Sequence, residues 1–353
     1  MAQNPMYRMV STCIMIVLIL AVGNAPSKVI TDRMISRSLE GNLLKDSSTR
    51  SMTIYLPPSY ETGDDRYPVI YYLHGYTGND TVWVNRYGIH NAMDTLIKQG
   101  KVQEMIIVMP NAYNKYGGSW YANSSVAGNY EDYITQDLVE FIDGKYRTLS
   151  QRESRAIGGG SMGGYGAMVL AIKHPDVYCA VVSHSGVLSL NRWKDAICLN
   201  PDATFFGFPL HRSMMIAFSP NPDNPPLYFD YPVDDNGNLL EKVWQRWLEH
   251  DPVTLAKAYR GNLKRLKGIY FDHGRSDPIV NVMEARDFDQ TLTELGIPHV
   301  YEEYAGGHVD QWSSRLYIAL PFLSDLLSSE MVVATDLQGK LTTMWASLKE
   351  NFR

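Results

Sequence analysis

Several short runs along the chain are apolar without alternation. Val69-Ile70-Tyr71-Tyr72-Leu73 is one, and Met105-Ile106-Ile107-Val108-Met109, closed by Pro110, is another. Ala180 to Ser183 and Gly268 to Phe271 repeat the pattern, and Val300 to Tyr304 is read as the last strand. A strand sends successive side chains to opposite faces, so a run with no polar alternation predicts a strand covered on both sides, as parallel sheets require. Ser51 to Leu56, before the turn signal Pro57-Pro58, predicts an earlier strand. Between these runs the period changes. Tyr130, Tyr133, Ile134, Leu138, Phe141 and Ile142 recur at helical spacing, as do Ala285, Phe288, Leu292 and Leu295, with Gly296 placed to end that helix. Strands alternating with helices predict an α/β protein with a mostly parallel central sheet and helices on both faces. Active residues are then expected in loops at the carboxyl ends of strands.

From about residue 188 to 266 the rhythm breaks. Aromatics are scattered there around Asn221-Pro222-Asp223-Asn224-Pro225-Pro226, and the segment is read as a long irregular insertion of the lid or binding-loop kind. Met331 to Arg353 follows the last helical pattern as a C-terminal extension with no role assigned. The catalytic domain is read as residues 26–330.

Residues 1–25 differ in kind. Arg8 is their one charged side chain, followed by an apolar run from Cys13 to Val22 and the small-residue stretch Gly23-Asn24-Ala25. That layout predicts a secretory signal peptide and a secreted or periplasmic protein, with an uncleaved anchor as the alternative. The run is short for a membrane span, so stable membrane insertion is not expected. Net charge is -6, which argues against nucleic acid as a partner, since that would need a basic face. Cys13 falls in the signal, leaving Cys179 and Cys198. Export permits a bond between them, and a buried free thiol is the other reading of Cys179. No Cys/His cluster has metal-ligand spacing, so no metal site is expected.

The chemistry concentrates at Gly158-Gly159-Gly160-Ser161-Met162-Gly163-Gly164-Tyr165-Gly166, which contains Gly-x-Ser-x-Gly. Arg155-Ala156-Ile157 supplies a strand before it and Ala167-Met168-Val169-Leu170 a helix after it. A serine on a strand-to-helix turn sits in a strained conformation with its hydroxyl presented at the sheet edge, and flanking glycines relieve the crowding. A phosphate-cradling loop would want a lysine, and none lies between Gly158 and Gly166. Ser161 is therefore the candidate nucleophile.

A serine hydroxyl needs a base. His308, in Ala305-Gly306-Gly307-His308 after the last predicted strand, occupies the loop and chain order expected of it. His74, His184 and His273 also lie near strand ends and are read as packing or hydrogen-bonding residues. The third member should be a carboxylate that fixes the imidazole tautomer. Asp272 falls inside a predicted strand and Asp277 in the loop beyond it, so Asp277 is preferred. Asp310 is read as a helix cap. For the oxyanion, Leu73-His74-Gly75-Tyr76-Thr77-Gly78 follows a buried strand, and the backbone N–H groups of Tyr76 and Met162 are the expected donors. Trp120 and Tyr121 are candidate pocket residues. Met214 to Phe218 and Pro226 to Phe229 are read either as pocket wall or as ordinary packing.

These motifs resemble the esterase D, or "putative esterase", family of α/β-hydrolases. The resemblance rests on Tyr72-Leu73-His74-Gly75 with Gly78, Ile107-Val108-Met109-Pro110-Asn111 and Gly160-Ser161-Met162-Gly163-Gly164-Tyr165-Gly166, with Asp277 and His308 in the family's order. It runs from about Arg50 to Leu326. That family includes feruloyl and acetyl esterases, S-formylglutathione hydrolases, enterochelin esterases and mycolyltransferases. The resemblance implies an α/β-hydrolase fold and ester hydrolysis through an acyl-enzyme, with no metal or organic cofactor. Feruloyl and acetyl esterases are exported, so a small or polysaccharide-linked acyl or aryl ester is the expected substrate. An acyltransferase using the same triad, a serine peptidase, and an exported binding protein without chemistry are the alternatives.

Overall fold

A computed structural model describes residues 26–329 of the chain. The expected signal peptide and the C-terminal extension lie outside the described residues. Among the described residues there are ten strands: β1 (Lys28–Ile35), β2 (Thr49–Leu56), β3 (Val69–Leu73), β4 (Ile106–Pro110), the short hairpin β5 (Asn123–Ser124) and β6 (Gly128–Asn129), β7 (Arg155–Gly160), β8 (Ala180–His184), β9 (Gly268–Gly274) and β10 (Val300–Tyr304). Eight of them form one sheet in the order β1-β2-β4-β3-β7-β8-β9-β10. β2 runs antiparallel to both its neighbours, and every pair from β4 through β10 is parallel. This is the mostly parallel sheet that the strand pattern predicts, in the α/β-hydrolase form that the resemblance implies.

The uninterrupted apolar runs have a simple cause. On β3, Val69, Tyr71 and Leu73 enter one core with Ile157 of β7, while Ile70 and Tyr72 enter a second core with Ala156. Because both faces are covered, apolar side chains are favoured at successive positions of these strands. Four helices follow the early strands, α1 (Val82–Asn85), α2 (Ile89–Lys98), α3 (Tyr130–Asp132) and α4 (Leu138–Lys145), the last two joined by a π-helical turn at Tyr133–Asp137. Helix α5 (Met162–Lys173) follows β7 and is buried along nearly its whole length. Such a helix has no polar face, which is why its sequence shows no helical period.

The insertion is more regular than its sequence. It holds α6 (Lys194–Leu199), α7 (Leu210–Phe218), α8 (Glu241–Leu248), α9 (Pro252–Ala258) and α10 (Arg260–Leu263). Each is short, so no apolar period runs long enough to be read. Met214, Met215, Ile216, Ala217 and Phe218 are all buried in the core shared with α5, which makes them packing and not pocket wall. Phe229 is likewise buried. The last helices are α11 (Val282–Glu294) and α12 (Trp312–Leu326). Gly296 takes φ +65°, the left-handed conformation that ends α11 as expected. Cys179 and Cys198 are both free thiols, so the bond that export would permit is not formed. Among the described residues no helix is long and apolar enough to cross a membrane.

Candidate active site

The site is assembled by the parallel register. β3, β7, β8, β9 and β10 end on one edge of the sheet, with Leu73 opposite Gly159, Gly160 opposite His184, His184 opposite Asp272, and Gly274 opposite Tyr304. The loops that follow these strands therefore meet, although their residues are far apart in sequence.

Ser161 is the turn between β7 and α5. Its backbone adopts φ 55° and ψ −122°, a conformation that costs on the order of 1–3 kcal/mol for a residue with a Cβ. The surroundings hold it there. Ser161 N–H donates to His184 O at 2.9 Å, and Tyr165 N–H donates back to Ser161 O at 2.9 Å. A side chain at Gly159 would meet Gly163 O at 2.5 Å, and one at Gly163 would run into the Leu73 carbonyl. The glycines thus let the start of α5 press onto the end of β3, aiming the serine hydroxyl outward. Ser161 lies at the amino end of a twelve-residue helix, whose dipole favours negative charge there.

His308 and Asp277 come together as a pair. His308 Nδ1–H donates to Asp277 Oδ2 at 2.6 Å, leaving Nε2 as the free nitrogen. The pair is held by stitching between the loops after β9 and β10: Arg275 N–H donates to Tyr304 O at 2.9 Å and Ser276 N–H to Gly306 O at 3.0 Å. A side chain at Gly274 would run into Gly307 O, so that approach requires the glycine. Asp277 Oδ1 accepts from the N–H groups of Ile279 at 2.8 Å and Val280 at 3.0 Å. Burial pushes this carboxyl up, but the hydrogen bonds from His273 and His308 outweigh it and hold Asp277 far below the usual carboxylate range. Asp277 is thus an anion facing the imidazole.

Trp312, at the start of α12, lies between His308 and the strand end that carries Ser161. Its ring centroid lies 5.8 Å from that of His308, and a side chain at Gly160 would meet the indole at 2.5 Å. Trp83 stacks behind it at 5.3 Å. Ser161 Oγ makes no hydrogen bond to His308 or to any other described residue. A slack serine–imidazole contact is common before substrate is bound.

The loop after β3 approaches from the other side. A side chain at Gly75 would lie 3.3 Å from Ser161 Cβ. Met162 N–H heads α5 and has no carbonyl one turn back, so it is one of the helix's free donors. Gly118 brings the two expected oxyanion residues together, since a side chain there would run into Met162 Sδ and lie 2.9 Å from the Tyr76 ring. His74 fixes this loop from inside. Its Nδ1–H donates to Gly75 O and its Nε2 accepts from Ala112 N–H, both at 2.9 Å. Burial pushes His74 down to about 4, so it stays neutral and can hold both bonds.

Several sequence expectations are corrected here. Trp120 and Tyr121 are 2% and 1% exposed. Trp120 Nε1–H donates to Ser213 Oγ at 2.9 Å, and Tyr121 OH donates to His74 O at 2.8 Å. Their rings are swallowed by the core because both residues take positive φ and fold back under the oxyanion loop. They support that loop and do not line a pocket. Asp310 caps no helix: its carboxylate accepts from Gly307 N–H at 2.7 Å, beside the base. Asp272 is wholly buried on the far face, accepting from His184 Nδ1–H at 2.9 Å and Arg315 Nε–H at 2.9 Å, while Tyr72 OH donates to His184 Nε2 at 2.6 Å. The roles of Trp312, Trp83 and Arg315 are absent from the sequence reading, because nothing local marks an aromatic or an arginine as part of a distant site.

Residues 47–323 match the family model described as "Putative esterase". An esterase of Mycobacterium tuberculosis is 29% identical over 273 residues, covering 73% of this chain and 52% of that protein. The chain thus spans about half the length of this relative. An acetyl esterase of Caldicellulosiruptor saccharolyticus is 24% identical over 258 residues, 72% of this chain and 82% of the relative. Among solved structures, a ferulic acid esterase superposes with a TM-score of 0.65 at 28% identity, covering 86% of this chain and all of that one.

Proposed function

The chain belongs to the esterase family that this model describes, and from that premise we propose that it is a serine carboxylic-ester hydrolase working through an acyl-enzyme. The observation that carries the reading is the 2.6 Å His308–Asp277 pair, in the loops at the sheet edge where a serine is held at positive φ on a strand-to-helix turn. In the proposed reaction His308 Nε2 takes the Ser161 hydroxyl proton as Oγ attacks the ester carbonyl. The N–H groups of Tyr76 and Met162 receive the oxyanion, and Asp277 stabilises the imidazolium. His308 returns the proton to the leaving alcohol, and water then repeats the sequence to release the acid.

Short acyl or aryl esters, the acetyl and feruloyl type, are the proposed substrates. The acetyl esterase and ferulic acid esterase relatives support this choice. Export is proposed from the apolar run of residues 13–22 alone; N-terminal sequencing of secreted protein would test it.

The deciding experiment is hydrolysis of p-nitrophenyl and methyl hydroxycinnamate esters by native protein and Ser161→Ala, beside fluorophosphonate labelling. Activity and labelling lost together in the variant, by a factor on the order of a thousand or more in rate, are expected. Folded native protein that neither hydrolyses any ester nor takes the label would overturn the reading.

A further inference from the structure

Asp277 serves two histidines, not one. The oxygen that accepts from His308, Oδ2, also lies 3.1 Å from Nε2 of His273, and both side chains of this second pair are wholly buried. His273 is on β9, four residues before Asp277. Its Nε2 is at the same time 2.9 Å from the carbonyl oxygen of Val280. A carbonyl only accepts, so Nε2 must carry the proton, and the N–H is shared between Val280 O and Asp277 Oδ2. The opposite nitrogen, Nδ1, is buried with no partner. A proton there would be a donor in an apolar setting with nothing to receive it. One face of the ring is therefore spent on Asp277, and the other is closed.

We propose that His273 is a positioning residue for the reaction: an imidazole with its proton on Nε2 that fixes the Asp277 carboxylate and draws charge from the oxygen facing His308. The proposal rests on the esterase reading above. Its consequence is directional. With the His273 donor in place, Oδ2 is shared and the His308 imidazolium is stabilised less. Without it, more negative charge faces His308, the cation is favoured, and the enzyme needs a higher pH to free its base. Hydrogen bonding from His273 is also the foremost influence holding Asp277 low, in keeping with the geometry.

The other titratable groups around the pair are Glu284 on α11, which burial pushes well up, and Tyr304 on β10, whose hydroxyl is likewise raised by burial. Glu303, opposite His273 on β10, is held by Arg286 at 2.7 Å and Arg275 at 3.6 Å. Asp310 is bound to Gly307 N–H. None of these supplies a proton to Asp277 Oδ2, so no neighbour replaces His273.

The test is the pH profile of kcat/KM on p-nitrophenyl acetate for native protein, His273→Leu and His273→Gln. Gln reaches the position of Nε2 with an amide N–H, whereas Leu carries no donor. The acid limb of His273→Leu is expected to move up by roughly half a pH unit to one unit, with His273→Gln restored toward native. A purely structural role would lower melting temperature in both variants and leave the limb in place. An unmoved limb in His273→Leu, or equal shifts in the two variants, overturns the proposal. If the Leu variant does not fold, nitrogen NMR of the native protein decides. His273 should carry its proton on Nε2, and a ring with Nε2 unprotonated overturns it. Native protein that is inactive and unlabelled by fluorophosphonate overturns the esterase reading itself. An active native protein with an unmoved limb in His273→Leu overturns only this one.

Discussion

Asp277 gathers four donors, from His308, His273 and the N–H groups of Ile279 and Val280. It is charged across the working range, because those bonds place it far below ordinary carboxylates. Replacing it with Asn would turn a strong acceptor toward His308 into an amide that can present N–H to the same nitrogen. The tautomer would then be wrong for catalysis. Asp277→Asn is expected to lower kcat on the order of a thousand- to ten-thousand-fold with little change in melting temperature, measured by esterase kinetics and thermal unfolding. Asp272→Asn acts differently, because Asp272 is wholly buried between His184 and Arg315. Arg315 would keep only Glu302 as its counter-charge, and the buried site should lose about 3 kcal/mol of stability, read by chemical denaturation. Two aspartates five residues apart are thus expected to separate, one affecting rate and the other stability.

At the scale of elements, close contact between β3 and the start of α5 sets the nucleophile. Gly163→Ala would push a methyl group into the Leu73 carbonyl, which is backbone and cannot swing aside. A loss of stability of about 3 kcal/mol, with activity falling in parallel, is the expected result in thermal melts and ester assays. Gly144 offers the contrast. It lies in α4 with nothing within 4 Å of a built Cβ, so Gly144→Ala should gain about 0.5–1 kcal/mol and leave kinetics untouched. Both residues are helical glycines, yet the effects have opposite sign. The strands at these positions were legible in sequence: β3 and β10 fall on the predicted strands residue for residue, whereas β7 and α5 run further than expected and take up the glycines on either side of Ser161. The helices of the insertion were not, because elements of four to nine residues show too few turns for a period.

Over the whole molecule, two apolar cores enclose the sheet and carry neutral histidines within them. Burial pushes His74 and His250 each down to about 4. Both ordinary values are near 6.5, so an unfolded chain takes up protons in the range where the native protein does not. Stability is then complete above about pH 6.5 and falls as pH drops toward 4, on the order of 3 kcal/mol for each group. Urea unfolding at neutral pH and near pH 5 should show this loss. Removing the His250 ring with His250→Phe, which keeps the stack on Phe218 at 5.1 Å, should flatten the slope.

Sequence alone determined the elements whose signal is local. Unbroken apolar runs marked strands covered on both faces, and glycines around Ser161 marked a turn that no side chain but the serine's could share. Chain order and loop position were enough to single out Asp277 and His308, which the structure joins at 2.6 Å. What only the tertiary structure decided is every feature that depends on a neighbour from another strand. The second histidine on Asp277, the Trp312 floor, the His74 clamp and the burial of Trp120 and Tyr121 arise from register and close packing between segments distant in sequence. Polar and aromatic side chains read alike in sequence whether they face solvent, substrate or one another. Their environment is set by what the fold brings against them.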